Sequence, residues 1–226
     1  MFFHTATTVL DWLGILVFAV SGALVASRKQ MDIFGFALMG TVTGIGGGTL
    51  RDVLLGQLPV FWVREPAYLL VCVAISCIVF FTAHIPASRY RVLLWLDAVG
   101  LALFAVAGAE KAMLVGAGPT VAIAMAVVTA TFGGVLRDML GAESPVVLSR
   151  EIYVTAALLG ACVFVGLAGA GLPREISISA GVAAGFALRG VALVRGWSLP
   201  RYRQRPGRNP GELQMLGFRS STRRDA

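Results

Sequence analysis

Long apolar runs alternate with short polar breaks along this chain, at a spacing that suits a membrane better than a soluble core. The runs fall at about 12–27, 33–55, 67–83, 92–110, 119–141, 152–170 and 176–194. A helix needs roughly 20 apolar residues to cross a bilayer, so the pattern predicts seven spans. The third, sixth and seventh runs are plain. The first is short, and glycines interrupt the second and fifth.

The polar positions repeat. Leu10, Asp11, Gly14, Phe18 and Gly22 return 86 residues later as Leu96, Asp97, Gly100, Phe104 and Gly108. At the same offset, without a gap, Gly47, Gly48, Arg51, Asp52, Arg64 and Glu65 return as Gly133, Gly134, Arg137, Asp138, Arg150 and Glu151. Residues 10–65 and 96–151 share 22 identities in 56 positions, and apolar bias does not duplicate Arg-Asp and Arg-Glu pairs. Each copy holds three spans, an odd number, so the second copy enters the membrane from the other side. The expected fold is an all-α membrane protein with seven transmembrane helices, an inverted 3+3 repeat plus one C-terminal helix. The division reads 1–86 and 87–172 for the two repeats, 173–195 for the seventh helix, and 196–226 for a basic, disordered tail.

Composition agrees: 57% of residues are hydrophobic, 14% are charged, and the mean hydropathy is +0.81. Soluble domains carry roughly 25% charge. A cleaved signal peptide is disfavoured, because no Lys or Arg precedes the first run and the same stretch recurs at 96–109. Cys72, Cys77 and Cys162 lie inside apolar runs without metal-ligand spacing and read as small hydrophobes. His4 and His84 stand at span edges without companions. Gly44-x-Gly46 lacks the preceding strand of a dinucleotide site, and no later span holds a histidine to activate Ser21. These readings leave no metal, no cofactor and no enzyme chemistry.

Basic residues favour cytoplasmic loops. With the N-terminus outside, the inner segments hold Arg28, Lys29, Arg89, Arg91, Arg150 and the arginine-rich tail, against Arg64, Lys111 and Arg174 outside. The expected topology is therefore multi-pass with the N-terminus outside and the C-terminus cytoplasmic, and the richness in Ala, Gly and Arg points to a GC-rich bacterium and so to its inner membrane. The basic tail reads as a topogenic or lipid-facing segment rather than a nucleic-acid binder.

The chemistry concentrates in two strings. One is Gly44-Ile45-Gly46-Gly47-Gly48-Thr49-Leu50-Arg51-Asp52, the other Ala130-Thr131-Phe132-Gly133-Gly134-Val135-Leu136-Arg137-Asp138. Adjacent glycines weaken a helix, and irregular backbone at membrane depth must line protein or a wet cavity. Kinks at Gly46, Gly47, Gly48, Gly133 and Gly134 would put carbonyls, with Thr49, Thr43 and Thr129, beside an ion path. Close packing is the competing reading, and it is preferred for Gly14/Gly22, Gly100/Gly108 and Gly181/Gly185.

Ionisable groups inside a membrane face a cavity or a partner. Arg51 and Asp52 point about 100° apart on a helix, which suggests crossed pairs, Arg51 with Asp138 and Arg137 with Asp52. Local bonding of each Asp, with each Arg snorkelling to a headgroup, is the alternative. Asp11 and Asp97 read as helix N-caps, and Arg64-Glu65 and Arg150-Glu151 as interfacial anchors. Glu110-Lys111 breaks the symmetry, standing opposite Leu24-Val25, and places Lys111 at a pore mouth. Arg189 either snorkels or holds a subunit contact.

Over roughly 1–195, the duplicated unit, the unpaired seventh helix, Gly47-Gly48-x-x-Arg51-Asp52 and Gly133-Gly134-x-x-Arg137-Asp138 resemble the prokaryotic trimeric intracellular cation (TRIC) channels. The resemblance implies a homotrimer in which each subunit holds a pore lined by its second and fifth spans. It implies passive permeation by potassium and other monovalent cations within membrane lipid. Bacterial members have also carried the label of glycine transporters, which keeps a secondary carrier of a small solute as the alternative, with a non-conducting scaffold as a third class. Animal members bind phosphoinositide through basic residues on the fourth span. Lys111 is the only basic residue in that stretch here, so lipid regulation is not carried over.

Overall fold

The computed structural model describes residues 2–85, 88–146 and 152–198, with side chains from Thr7 onward. The tail beyond 198, Arg150 and Glu151, and the His4 side chain lie outside the described residues. The described residues form eight α-helices: α1 (Phe2–Arg28), α2 (Ile33–Leu54), α3 (Phe61–Arg64), α4 (Ala67–Thr82), α5 (Arg89–Leu114), α6 (Pro119–Leu140), α7 (Val154–Gly169) and α8 (Arg174–Arg195). Each of the seven apolar runs coincides with one helix. The short α3, in the loop after α2, left no apolar signal.

Local chemistry sets the ends. The Gly35 N–H donates to Asp32 Oδ1 at 2.8 Å ahead of α2, and Ser88 Oγ accepts from Arg91 N at 3.3 Å ahead of α5. Pro119 opens α6, where its missing donor costs nothing. Gly196 closes α8 in the left-handed region at φ +65°. Five helices, α1, α2, α5, α6 and α8, are long and apolar enough to cross a membrane, while α4 and α7 are apolar but only 16 residues each.

Within the first half α1, α2 and α4 pack on one another, and α5, α6 and α7 do the same in the second. The halves meet through α1 on α5 and α2 on α6, and α8 lies on α5 and α7. The contacts are reciprocal. Phe104 covers Gly14, and Phe18 covers Gly100; the two rings meet edge to face at 5.2 Å. In α2 and α6 the Thr129 carbonyl stands over Gly47 and the Thr43 carbonyl over Gly133. As the residue number rises on one helix it falls on its partner, so both pairs run antiparallel.

The glycine strings do not interrupt their helices. Both α2 and α6 are continuous helix through Gly46–Gly48 and Gly133–Gly134. A freed carbonyl at a buried crossing would have no water to replace its partner. The missing side chains are used instead to bring two helix backbones into contact. Packing also explains Gly22 against Met39, Gly108 against Met125, and Gly181 against Gly160.

Candidate functional site

Just beyond the α2–α6 crossing, on opposite sides of it, each half buries an arginine between two aspartates. In the first cluster Arg51 Nη1 lies 3.0 Å from Asp11 Oδ1 and Nε donates to Asp52 Oδ1 at 3.0 Å. In the second, Arg137 Nη1 lies 2.7 Å from Asp97 Oδ1 and Nε donates to Asp138 Oδ1 at 2.8 Å. Both arginine side chains are fully buried. The second oxygen of each helix-end aspartate accepts a backbone N–H from the following loop, Phe61 N for Asp52 at 3.0 Å and Val146 N for Asp138 at 2.9 Å.

The crossed pairs do not form. With a rise of about 1.5 Å per residue, Arg51 and Arg137 stand roughly 9 Å beyond the centre of the crossing on opposite sides. Arg51 therefore cannot meet Asp138. Asp11 and Asp97 are not N-caps, because α1 begins at Phe2 and α5 at Arg89. They lie inside their helices and face the arginine of α2 or α6. Adjacent residues do pair here, since the long guanidinium arm folds back along the helix end to the neighbouring carboxylate.

The clusters differ in what surrounds them. Lys111 Nζ stands 3.2 Å from Asp52 Oδ1, and the Phe61 ring lies 5.8 Å from the Arg51 guanidinium and 5.7 Å from the Lys111 ammonium. This cluster opens into a cavity of about 410 Å³ whose walls include Asp11, Asp52, Gln57, Phe61, Arg64 and Lys111. In the second cluster Arg137 Nη1 also donates to Ser21 Oγ at 2.5 Å. The fully buried Ser21, which the sequence offers only as a nucleophile without a histidine, is thus a partner of Arg137, a role marked in the sequence only by its mismatch with Ala107.

The other expected site residues are placed as follows. Gly46 faces Leu136, and Gly47 and Gly133 hold the crossing. Gly48 lies against Phe61, and Gly134 against the Tyr153 hydroxyl and Asp97. Thr49 Oγ1 donates to Ile45 O at 2.7 Å and accepts from Trp62 Nε1 at 2.9 Å. Thr43 and Thr129, fully buried at the crossing, each donate to the carbonyl four residues back at 2.6 Å. Arg64 donates to Leu58 O at 2.9 Å. Glu110, fully buried, accepts from Arg174 Nε at 2.7 Å and ties α5 to the start of α8. Arg189 does not snorkel: it is buried, donates to Ile152 O at 3.3 Å and lies 5.2 Å from the Tyr153 ring.

The sequence model of a family described as "Glycine transporter" matches residues 8–84 and 94–169, one copy on each half. The "UPF0126 inner membrane protein YadS" of Escherichia coli (strain K12) is 44% identical over 155 residues, 68% of this chain and 75% of its own. A "UPF0126 membrane protein" of Vibrio cholerae is 38% identical over 197 residues, 85% of this chain and 81% of its own. Among solved structures, the "TRIC trimeric intracellular cation channel orthologue from Rhodobacter sphaeroides" is 64% identical, superposes with a TM-score of 0.84, and covers 85% of this chain and 100% of its own. The chain belongs to this family, the prokaryotic TRIC channels. A second TRIC structure, of "a prokaryotic TRIC channel in 0.5 M KCl", is 34% identical with a TM-score of 0.81 over 87% of this chain and 100% of its own. As a TRIC family member with these relatives and helices, the protein is a multi-pass inner-membrane protein.

Proposed function

We propose that this TRIC protein is a passive channel for potassium and other monovalent cations. In this reading α1, α2, α4, α5, α6, α7 and α8 are seven spans, arranged as an inverted 3+3 repeat with α8 added, and three copies form a homotrimer. The N-terminus lies outside and the C-terminus in the cytoplasm. Each subunit carries its own path, along the seam of α2 and α6. Gly46, Gly47, Gly48, Thr49, Gly133 and Gly134 shape the middle of the path, and Arg51, Asp52, Lys111, Arg137 and Asp138 flank it.

The observation that carries this reading is the pair of buried Arg–Asp–Asp clusters on opposite sides of the α2–α6 crossing. An unpaired arginine would repel a cation from the path. Here each arginine is held between two carboxylates, so neither stands as a bare positive charge; the second trio carries a net negative charge that favours cations, while Lys111 beside Asp52 brings the first to neutrality. The hydroxyls of Thr43 and Thr129 keep lone pairs that can replace part of an ion's hydration shell. Because both are fully buried where the helix backbones touch, conduction requires α2 and α6 to part.

A secondary carrier for a small zwitterion such as glycine is the second reading. It is favoured by one observation: the 410 Å³ cavity presents Asp11 and Glu65 beside Arg64 and Lys111, carboxylates and cations together. Purified protein in a planar bilayer separates the two. The channel reading predicts unitary current steps in KCl. Saturable counterflow of labelled glycine without such steps would select the carrier.

A further inference from the structure

We propose that Arg28, Lys29 and Glu143 form an ionic latch across the second mouth of the permeation path, the one on the expected cytoplasmic side. The proposal rests on the conduction reading above. It starts from a difference between two places that the repeat should make alike.

The first mouth is lined in part by Gln57, Leu114 and Val115. At the repeat offset these positions become Glu143, Arg28 and Lys29. The backbones match. Gln57 N donates to Asp52 O, and Glu143 N donates to Asp138 O, both at 2.8 Å. Gly56 and Ala142, just before them, share the left-handed turn at φ +66° and +50°. After α1 and α5, Met31 N donates to Ala26 O at 3.1 Å and Ala117 N to Ala112 O at 3.0 Å. Backbone for backbone the two rims are the same, and only their side chains differ.

Those side chains change an open rim into a bridged one. Arg28 Nη2 lies 3.1 Å from Glu143 Oε1, and Nη1 donates to Oε2 at 3.2 Å, a two-pronged contact. Lys29 Nζ reaches the same Oε1 at 3.5 Å, and the Tyr90 ring lies 5.1 Å from the Arg28 guanidinium. The bridge ties the end of α1 to the loop after α6. Behind it, Leu93 and Val25 take the places of Thr7 and Lys111 and pack together in one apolar cluster. A path that crosses Asp97 and Asp138 must leave through this rim, so the loop has to swing away from α1 before ions pass.

The strength of the bridge suits a latch. The Arg28 and Glu143 side chains keep 30% and 25% of their surface exposed. Water and salt compete for such a pair, so it biases an equilibrium without locking it. The first mouth has no matching charges at these positions, which makes the device one-sided and confined to the second copy.

The test is single-channel recording of Glu143→Gln and Arg28→Leu, which copy Gln57 and Leu114 of the first mouth. Loss of a pair of this exposure predicts an open probability raised about two- to fivefold, with unitary conductance kept. The doubly reversed protein, Arg28→Glu with Glu143→Arg, returns toward wild-type gating. An unchanged open probability in Glu143→Gln, with unitary currents intact, overturns the latch. A second readout is independent of conduction: Leu93→Cys, in a chain whose three native cysteines are alanine, is labelled by a cationic thiol reagent. Adding Glu143→Gln accelerates labelling by about the same two- to fivefold, and an unchanged rate overturns the latch. If wild type gives no unitary current, the conduction reading falls, and the labelling rates still decide for or against the latch.

Discussion

Lys111 stands 3.2 Å from Asp52, whereas the repeat gives its counterpart position to the uncharged Val25. The first cluster is thus neutralised by two cations, whereas among the described residues the second has only Arg137 for two carboxylates. In the proposed channel the lysine is a positive charge beside the first mouth and opposes cation entry.

Replacing Lys111 by Val should therefore raise conductance. A unit charge screened to an effective dielectric between water and protein changes a nearby ion's energy by about 1 kcal/mol, roughly a fivefold effect at most. Unitary potassium currents of Lys111→Val should be larger than wild type by up to that factor, with the trimer intact on size-exclusion chromatography. Currents of unchanged size would show that Lys111 does not face the path.

The α2–α6 crossing gives a stability prediction with an internal control. A Cβ at Gly47 would meet the Thr129 carbonyl, which is backbone and cannot rotate away. Gly47→Ala should lower the thermal midpoint in detergent, at a cost of about 1–3 kcal/mol for overpacking. Gly166→Ala in α7 meets nothing within 4 Å. That change should be neutral or stabilising by up to about 1 kcal/mol through helix propensity. Equal effects at the two sites would contradict the packing role.

Double-mutant cycles read the ionic pairing directly. Coupling between Arg51 and Asp11, measured as thermal or denaturant stability, should exceed about 1 kcal/mol, because breaking a buried pair leaves an uncompensated charge. Coupling between Arg51 and Asp138 should stay within about 0.5 kcal/mol, as for sites without shared partners. The reverse ranking would restore the crossed pairs and remove the clusters described above.

Much of this architecture was legible in the sequence because a duplication shows what each copy kept. The 86-residue offset revealed both Arg-Asp strings, and the apolar runs located seven of the eight helices. The helix starts were less visible. Asp11 looked like a cap because the apolar signal begins after it, yet α1 starts at Phe2 and buries Asp11 beside Arg51. Its identity with Asp97 was the available clue that it partners the equally repeated arginine. The glycines were visible, but not the use made of them. Runs of glycine weaken a helix and admit a close neighbour in equal measure, and only the antiparallel contact with Thr129 and Thr43 decides between those effects. Arg28 and Lys29 count in the sequence only as topogenic charges, and their pairing with Glu143 was hidden for the opposite reason, since all three lie where the copies disagree.

The measurement closest to the centre of this account is the reversal potential of the purified protein in a planar bilayer across a tenfold KCl gradient. A path flanked by a net-negative second cluster and by a first cluster that Lys111 leaves neutral predicts discrete unitary currents whose reversal approaches the cation limit of about 59 mV for a monovalent ion. A reversal potential near zero, or of anionic sign, would contradict it.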